Sequence, residues 1–494
     1  MWLTQLLERN RQCRPGRTAL VDEERSVTWA EFHDRTLELA RGLAELGIER
    51  GDRVAVLSKD RIEVLESYFA LARLGALFVP LNHSLAEPEV AGIIERVGAV
   101  AVIGESELLD RHPELPASVR IRLALDKPAF EALGTLAAER DLPEVADSDP
   151  IAVLHTSATT GQAKGVTVDS GSFRAIALGW LVMARPTDDI VMVNCCPLYH
   201  GSMVVSLTYL AAGATVVLMP GFTPQRALTA VERHRATHMW LVPQMLRFML
   251  QAKASHRTDL SCLREILYGA APMPLDVYAD AVERLGCGFR QVYGMTEVGG
   301  PFVTLGPDEH PAPGDVTARI PCGRVVPGMS ARAVDGGGRE LPPGEIGEIV
   351  VRGPGVMRGY WNDPQATREI TLDGWIRTGD LGFMDDEGRI SLVDRTKDVI
   401  IRAGQNVYPS EIERALLTHP AVRDAAVVGM PDEDYGEVPL AYVVPEPGAD
   451  PGAAALLRHV KGLLAPYKWP RRVEFIEQVP RNPAGKIVKK LLRA

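Results

Sequence analysis

The sequence is short of paired cysteine, of excess positive charge and of long apolar runs, and each shortage excludes a class of protein. Its six cysteines (Cys13, Cys195, Cys196, Cys262, Cys287 and Cys322) form no Cys-x-x-Cys pair and stand at no metal-ligand spacing with histidine. A disulfide scaffold or zinc site is therefore not expected, and the thiols read as reduced side chains of a cytoplasmic protein. Lysine and arginine total 54 against 64 aspartates and glutamates, a net charge of −10. That sign does not suit general nucleic-acid binding, which draws on positive surface. Residues 190–225 carry no Asp, Glu, Lys or Arg, yet Pro197, Gly201, Gly213 and Pro220 cut them into short pieces. None approaches the roughly 20 apolar residues of a membrane span, and strand, loop, helix and strand is the reading. No basic start followed by an apolar run opens the chain, so no secretory leader is expected. Repeats and low-complexity tracts are absent. So are a GxxxxGK[ST] phosphate loop and a suitably placed GxGxxG turn.

What remains is an ordinary enzyme-like balance, 46% hydrophobic and 24% charged, in 494 residues, too many for one core. Thr28 followed by Glu31 predicts a capping box. Phe32, Leu37, Leu39, Leu43 and Leu46 then recur at roughly helical spacing until Gly47 stops the run. Val54–Leu57 reads as a buried strand, Val64–Leu74 as a helix and Ala76–Pro80 as a strand. Further strands are expected at Val100–Ile103, Ala214–Leu218 and Thr237–Val242. This alternation predicts an α/β fold with largely parallel sheets. Asp141–Pro150 reads as a linker, and residues 329–353 as a β-rich module turning at Gly336–Gly338. A domain boundary is expected at Asp394–Lys397, giving domains 1–394 and 395–494.

The strand Ile151–Leu154 runs into His155-Thr156-Ser157-Ala158-Thr159-Thr160-Gly161-Gln162-Ala163-Lys164-Gly165. Four hydroxyls, two glycines and a lysine lie in residues 156–165. Hydroxyls and backbone N–H groups wrap phosphate oxygens, and lysine neutralises their charge. A polar surface turn is the competing reading of this stretch taken alone.

Further motifs follow in order: Pro197-Leu198-Tyr199-His200-Gly201, Tyr268-Gly269-Ala270-Ala271-Pro272, Tyr293-Gly294-Met295-Thr296-Glu297, Thr378-Gly379-Asp380-Leu381, Asp394-Arg395-Thr396-Lys397-Asp398 and Pro480-Arg481-Asn482-Pro483-Ala484-Gly485-Lys486-Ile487. As an ordered set spanning nearly the whole chain, they resemble the adenylate-forming superfamily, which includes acyl- and aryl-CoA synthetases, peptide-synthetase adenylation domains and luciferases. The resemblance implies a large N-terminal domain with a barrel-like β module and a small mobile α+β C-terminal domain. It implies ATP, Mg²⁺ and coenzyme A as cofactors and co-substrates, and a carboxylic acid as substrate. ATP would be held by Thr156, Ser157, Thr159, Thr160, Gly161, Lys164, Gly269, Ala270, Ala271, Tyr293, Thr296, Asp380, Arg395 and Lys486. Glu297 would ligate the metal, and Lys486, Thr296, Glu297 and His200 would be catalytic. Lys397 would be the hinge and Gly404 would line the thiol tunnel.

The acyl pocket is expected at His200, Met203, Trp240, Tyr268, Gly294 and Met295. No acidic residue stands near His200, so a substrate ammonium would go unpaired, which points to an apolar acyl or aryl acid. The chain departs from the family pattern at His155, where tyrosine is usual, and at Ala158 and Ala163, where glycine and proline are usual. Alanine is less mobile than glycine, and losing proline frees a fixed φ. The stretch from Trp375 to Lys397 is compact and lacks the insertion that in fatty-acyl-AMP ligases holds the small domain away from the thiol pose, so the resemblance implies ligation to CoA over stopping at the adenylate. Two alternatives stand beside the CoA ligase: an enzyme loading a carrier protein's phosphopantetheine, and a degenerate ATP-binding homologue.

Overall fold

The computed structural model describes all residues except 136–140, 157–162, 200, 314, 316–318, 482–486 and 494, and the side chain of Thr135. The chain forms two compact units. One comprises Met1–Ser330 and Arg352–Ile376, the other Ala331–Val351 and Arg377–Ala494. The expected boundary at 394–397 thus falls inside the second unit. There the strand Ile390–Arg395 is hydrogen-bonded to Trp375–Met384 in antiparallel register.

Local signals form as their chemistry requires. Thr28 Oγ1 accepts from Glu31 N (3.2 Å) while the Glu31 carboxylate accepts from Thr28 N (2.7 Å). This box opens the helix Trp29–Glu45, which Gly47 follows in the left-handed region. Every residue of the helix Ile62–Leu74 is buried. Its two carboxylates cannot be left bare there: Arg25 reaches Glu63 (2.9 Å) and Glu66 (3.2 Å), and Arg35 reaches Glu66 (2.6 Å). The uncharged stretch gives the strand Val191–Asn194, the buried helix Ser202–Ala212 and the strand Thr215–Leu218. Among the described residues no helix is long and apolar enough to cross a membrane. The stretch before Pro150 holds no regular structure from 141 on, yet Asp147 ties it down by accepting from Trp2 N (2.7 Å) and Ser170 Oγ (3.1 Å).

The first unit carries two sheets. The seven-stranded one runs Gly359–Tyr360, Gly165–Asp169, Pro150–His155, Leu77–Leu81, Arg53–Leu57, Ala101–Gly104, Ile121–Ala124, parallel except at the Gly165–Asp169 and Gly359–Tyr360 end. Ala55, Val79, Val102 and Val153 anchor its core. In the nine-stranded sheet, Val191–Asn194, His238–Leu241, Glu265–Gly269 and Gly288–Met295 lie parallel and adjacent. The second unit holds a small sheet around Trp375–Met384 and a five-stranded sheet built on the long antiparallel pair Val422–Asp432 and Gly436–Pro445. The helices Pro409–Leu417 and Ala453–Leu463 supply Ile412, Leu456 and Val460 to its core.

Thr28→Ala removes one side of the capping box. It should weaken the first unit by about 1 kcal/mol, read as a lower urea midpoint of that unit's transition.

Candidate active site

Three motif segments leave the carboxyl ends of parallel neighbours in the nine-stranded sheet, where open α/β sheets place their ligands. Pro197–Tyr199 follows Val191–Asn194, Ala270–Ala271 follows Glu265–Gly269, and Thr296–Glu297 follows Gly288–Met295. At Gly269 an added Cβ would lie 2.5 Å from Val292 O, so the strand can end there only as glycine. Ala270 takes φ +66°, a strained turn for a residue with a side chain. Gly294 is equally close-packed: a Cβ would meet Gly300 O at 2.2 Å. Tyr293, Gly294, Met295 and Thr296 are half-buried, and the Tyr293 ring lies 5.2 Å from that of Phe302.

Glu297 sits in the 3-10 turn Thr296–Val298 and is only 9% exposed. Its Oε1 accepts from the Tyr360 hydroxyl at 2.7 Å, and Oε2 has no hydrogen-bond partner among the described residues. Burial, and then the Glu297 carboxylate, raise the pKa of the Tyr360 phenol, so it stays a donor. The Lys164 ammonium stands 4.9 Å over the face of the same ring. No group of three His, Cys, Asp or Glu that could cage a metal occurs among the described residues. One available carboxylate oxygen fits Mg²⁺, which takes one or two carboxylates and fills its shell with phosphates and water.

The segment expected to hold phosphate joins the antiparallel strands Pro150–His155 and Gly165–Asp169, and Thr156 N donates to Lys164 O (3.1 Å) at its base. Ser157, Thr159, Thr160 and Gly161 lie outside the described residues. Burial lowers His155, at the base of the loop, to about 4, so it is a neutral imidazole at pH 7.

The residues expected to line the acyl pocket are placed as follows. Tyr268 is fully buried, donates its hydroxyl to Gln291 Oε1 (3.0 Å), and meets His310 Nε2 at 2.9 Å. Its ring belongs to the core, because a buried phenol must be satisfied there and its strand faces inward at this residue. Met203 and Trp240 are also buried, Trp240 donating to Ser202 Oγ at 3.2 Å beneath Gly269. His200 lies outside the described residues. Its neighbours are held from a distance: Leu198 N donates to Asp60 Oδ1 (2.9 Å), and the Tyr199 ring packs edge-on against His83 at 5.8 Å. Asp60 is 6% exposed and forms no ion pair among the described residues. Burial pushes its carboxyl from 3.8 to about 8, against the opposing Leu198 N–H.

In the second unit, antiparallel register sets Asp380 opposite Arg395, and Arg395 Nε lies 3.3 Å from Asp380 Oδ1. Asp380 N donates to Thr378 Oγ1 (3.1 Å), and Gly379 takes φ +71° to present it. Lys397 lies in the 3-10 turn Thr396–Asp398, where burial lowers its pKa. Gly404, at φ +79°, forms the turn between Ile400–Arg402 and Gln405–Val407. Lys486 lies outside the described residues. Both flanks of its segment are pinned, Arg481 by Asp424 (2.8 and 3.0 Å) and Lys489 by Glu413 (2.8 Å).

Sequence reasoning missed Tyr360 and Asp60. Tyr360 showed only as an aromatic after glycine, and Asp60 gave no signal, since its role depends on a contact 138 residues away.

The family model described as "AMP-binding enzyme" matches residues 7–361, and that described as "AMP-binding enzyme C-terminal domain" matches residues 411–486. The chain is 36% identical over 501 residues to a fatty acid–[acyl-carrier-protein] ligase, ScoC, of Streptomyces coeruleorubidus, covering 99% of this chain and 96% of that one. It is 37% identical over 483 residues to a feruloyl-CoA synthase of Amycolatopsis sp, covering 97% and 96%. The crystal structure of ATP-bound MatB from Rhodopseudomonas palustris superposes with a TM-score of 0.91 at 31% identity, over 99% of this chain and 98% of that one.

Asp60 generates a pH prediction. Its folded-state pKa lies above the unfolded one, so between about pH 4 and pH 8 the unfolded chain binds fewer protons. Its contribution to stability therefore falls as pH rises through that window, by up to about 1.4 kcal/mol per pH unit. Asp60→Asn keeps an oxygen for Leu198 N without a titrating proton. Its melting temperature relative to wild type should climb steadily from pH 5 to pH 8 and exceed it at pH 8, as read by calorimetry.

Proposed function

The chain belongs to the AMP-binding enzyme family, and from that premise we propose that it activates an apolar carboxylic acid as its acyl-adenylate and transfers the acyl group to coenzyme A. It is an AMP-forming acid–thiol ligase that uses ATP and CoA. The observation that carries the reading is the end-to-end match: both family domains, in order, in a chain aligned almost completely with acyl- and aryl-acid ligases. The apolar acid is read from the segment Tyr199-His200-Gly201-Ser202, which carries no acidic residue to pair with a substrate ammonium. A cytoplasmic location is supported by six free cysteines.

In the first half-reaction a carboxylate oxygen of the acid attacks the α-phosphorus of ATP. A new P–O bond forms as the bond to pyrophosphate breaks. Bringing these anions together requires fixed positive charge and in-line placement. Lys164 and the loop hydroxyls Thr156, Ser157, Thr159 and Thr160 hold phosphate oxygens, and Thr296 donates to the α-phosphate. Glu297 holds Mg²⁺, which when bound neutralises charge on the phosphates. Tyr293 stacks on adenine beside Gly269–Ala271, while Asp380 accepts both ribose hydroxyls with Arg395 alongside. Lys486 stabilises charge on the forming bond. In the second half-reaction the thiolate of CoA attacks the acyl carbon, and the bond to AMP breaks. Lys397 is the hinge of the swing between the two poses, and Gly404 lines the thiol's approach. His200, Gly294 and Met295 border the acyl group.

A second acceptor is favoured by one specific observation: the relative from Streptomyces coeruleorubidus is an acyl-carrier-protein ligase. Carrier-protein phosphopantetheine presents the same thiol, so the first half-reaction is unchanged. A non-catalytic homologue is the remaining alternative.

The deciding experiment is pyrophosphate release over aliphatic, aryl and polycyclic carboxylic acids, with and without CoA, with products identified by mass spectrometry. Acyl-CoA from one class is the expected result. Adenylate that persists with CoA and is consumed by a holo carrier protein would replace CoA as acceptor, and no release with any acid would sink the enzymatic reading. Lys486→Ala should lower adenylation by about 100-fold or more, measured as acid-dependent pyrophosphate release. Thioester formation from added acyl-adenylate should change far less.

A further inference from the structure

Residues 357–361 cross the nucleotide-binding elements as a strap. Met357 N donates to Glu297 O (2.9 Å), Arg358 N to Thr167 O (3.0 Å) and Trp361 N to Gly165 O (2.7 Å). Gly359 and Tyr360 pair in register with Thr167 and Val166, the strand that leaves the phosphate loop. The strap is itself anchored. Tyr360 N donates to Thr367 Oγ1 (2.9 Å), and Asp363 caps the helix Pro364–Glu369 through Ala366 N (2.8 Å). Close approach of the turn after Glu297 completes the arrangement, since a Cβ on Gly299 would lie 2.8 Å from Gly355 O.

This backbone places one aromatic ring between two groups that arrive from distant parts of the chain. The phenol donates to Glu297 Oε1 at 2.7 Å, and the ring face carries the Lys164 ammonium at 4.9 Å. We propose that Tyr360 is a positioning residue for the metal-bound nucleotide, setting the Glu297 carboxylate and the Lys164 ammonium in place before ATP binds. The inference rests on the nucleotide reading above. A glutamate has three free torsions and a lysine four, and fixing them in advance spares that entropy at binding. The phenol occupies one carboxylate oxygen and leaves the other for a cation. The ring's hold on the ammonium is weak enough to yield to a phosphate anion. Phenylalanine would supply the ring without the donor, so the two contacts are separable.

The test is equilibrium binding of ATP to the full chain by titration calorimetry over a series of Mg²⁺ concentrations and in EDTA, for wild type, Tyr360→Phe, Glu297→Gln and the double variant. Tyr360→Phe should raise the Mg²⁺ needed for half-maximal ATP binding by roughly tenfold, the scale of one hydrogen bond to a charged group. ATP binding in EDTA should stay within about twofold. In the Glu297→Gln background the same change should have no further effect on Mg²⁺ dependence, because the two residues act as a unit. Tyr360→Leu, which also removes the ring, should weaken ATP binding in EDTA. An unaltered Mg²⁺ dependence in Tyr360→Phe overturns the proposal. So does an equal loss with and without Glu297, the mark of a general structural effect. A wild-type chain that binds no ATP with Mg²⁺ overturns the nucleotide reading itself, and this proposal with it.

Discussion

A carboxylate taken almost wholly out of water must be met by donors that the chain supplies, and Glu297 is such a group. Tyr360 meets one of its oxygens, and the backbone of the same strap meets its carbonyl. That single requirement draws together the turn after Gly288–Met295, the strand after the phosphate loop and the segment Met357–Trp361. Their packing leaves no room for side chains at Gly294 and Gly299.

The parallel sheets do the rest of the positioning in the first unit. Parallel strands discharge their connecting segments at the same end, so Pro197–Tyr199, Ala270–Ala271 and Thr296–Glu297 emerge along one rim. The segment Pro197–Tyr199 is steadied by Asp60, held in a setting that favours its neutral form and linked to Leu198 by one hydrogen bond. In the second unit a different device brings two charged side chains together. Antiparallel register, rather than a loop, sets Arg395 against Asp380.

Much of this was legible in the sequence. The capping box at Thr28 and Glu31, the strands at 54–57 and 76–80 and the strand–helix–strand order within 190–225 are local patterns, set by side-chain chemistry within a few residues, and all form. The ordered motifs likewise singled out Glu297, Asp380, Arg395 and Lys164, through residue types read in order rather than through local structure. The surroundings of Tyr268 were not legible, because a strand residue next to a motif can face either way, and its partners Gln291 and His310 lie 23 and 42 residues away.

By itself, then, the sequence determined the alternation of strand and helix, the family, and the residue types that acid activation demands. These follow from short-range periodicity and from motifs read in order. Tertiary structure alone decided that Tyr360 stands between Lys164 and Glu297, that Asp60 clamps Leu198, and that the β-rich stretch Ala331–Val351 packs with residues beyond Arg377 rather than with what precedes it. Each depends on contacts between residues tens to hundreds of positions apart. Such contacts leave no local pattern, because the free energy that selects them comes from burial and hydrogen bonding available only once the chain has folded.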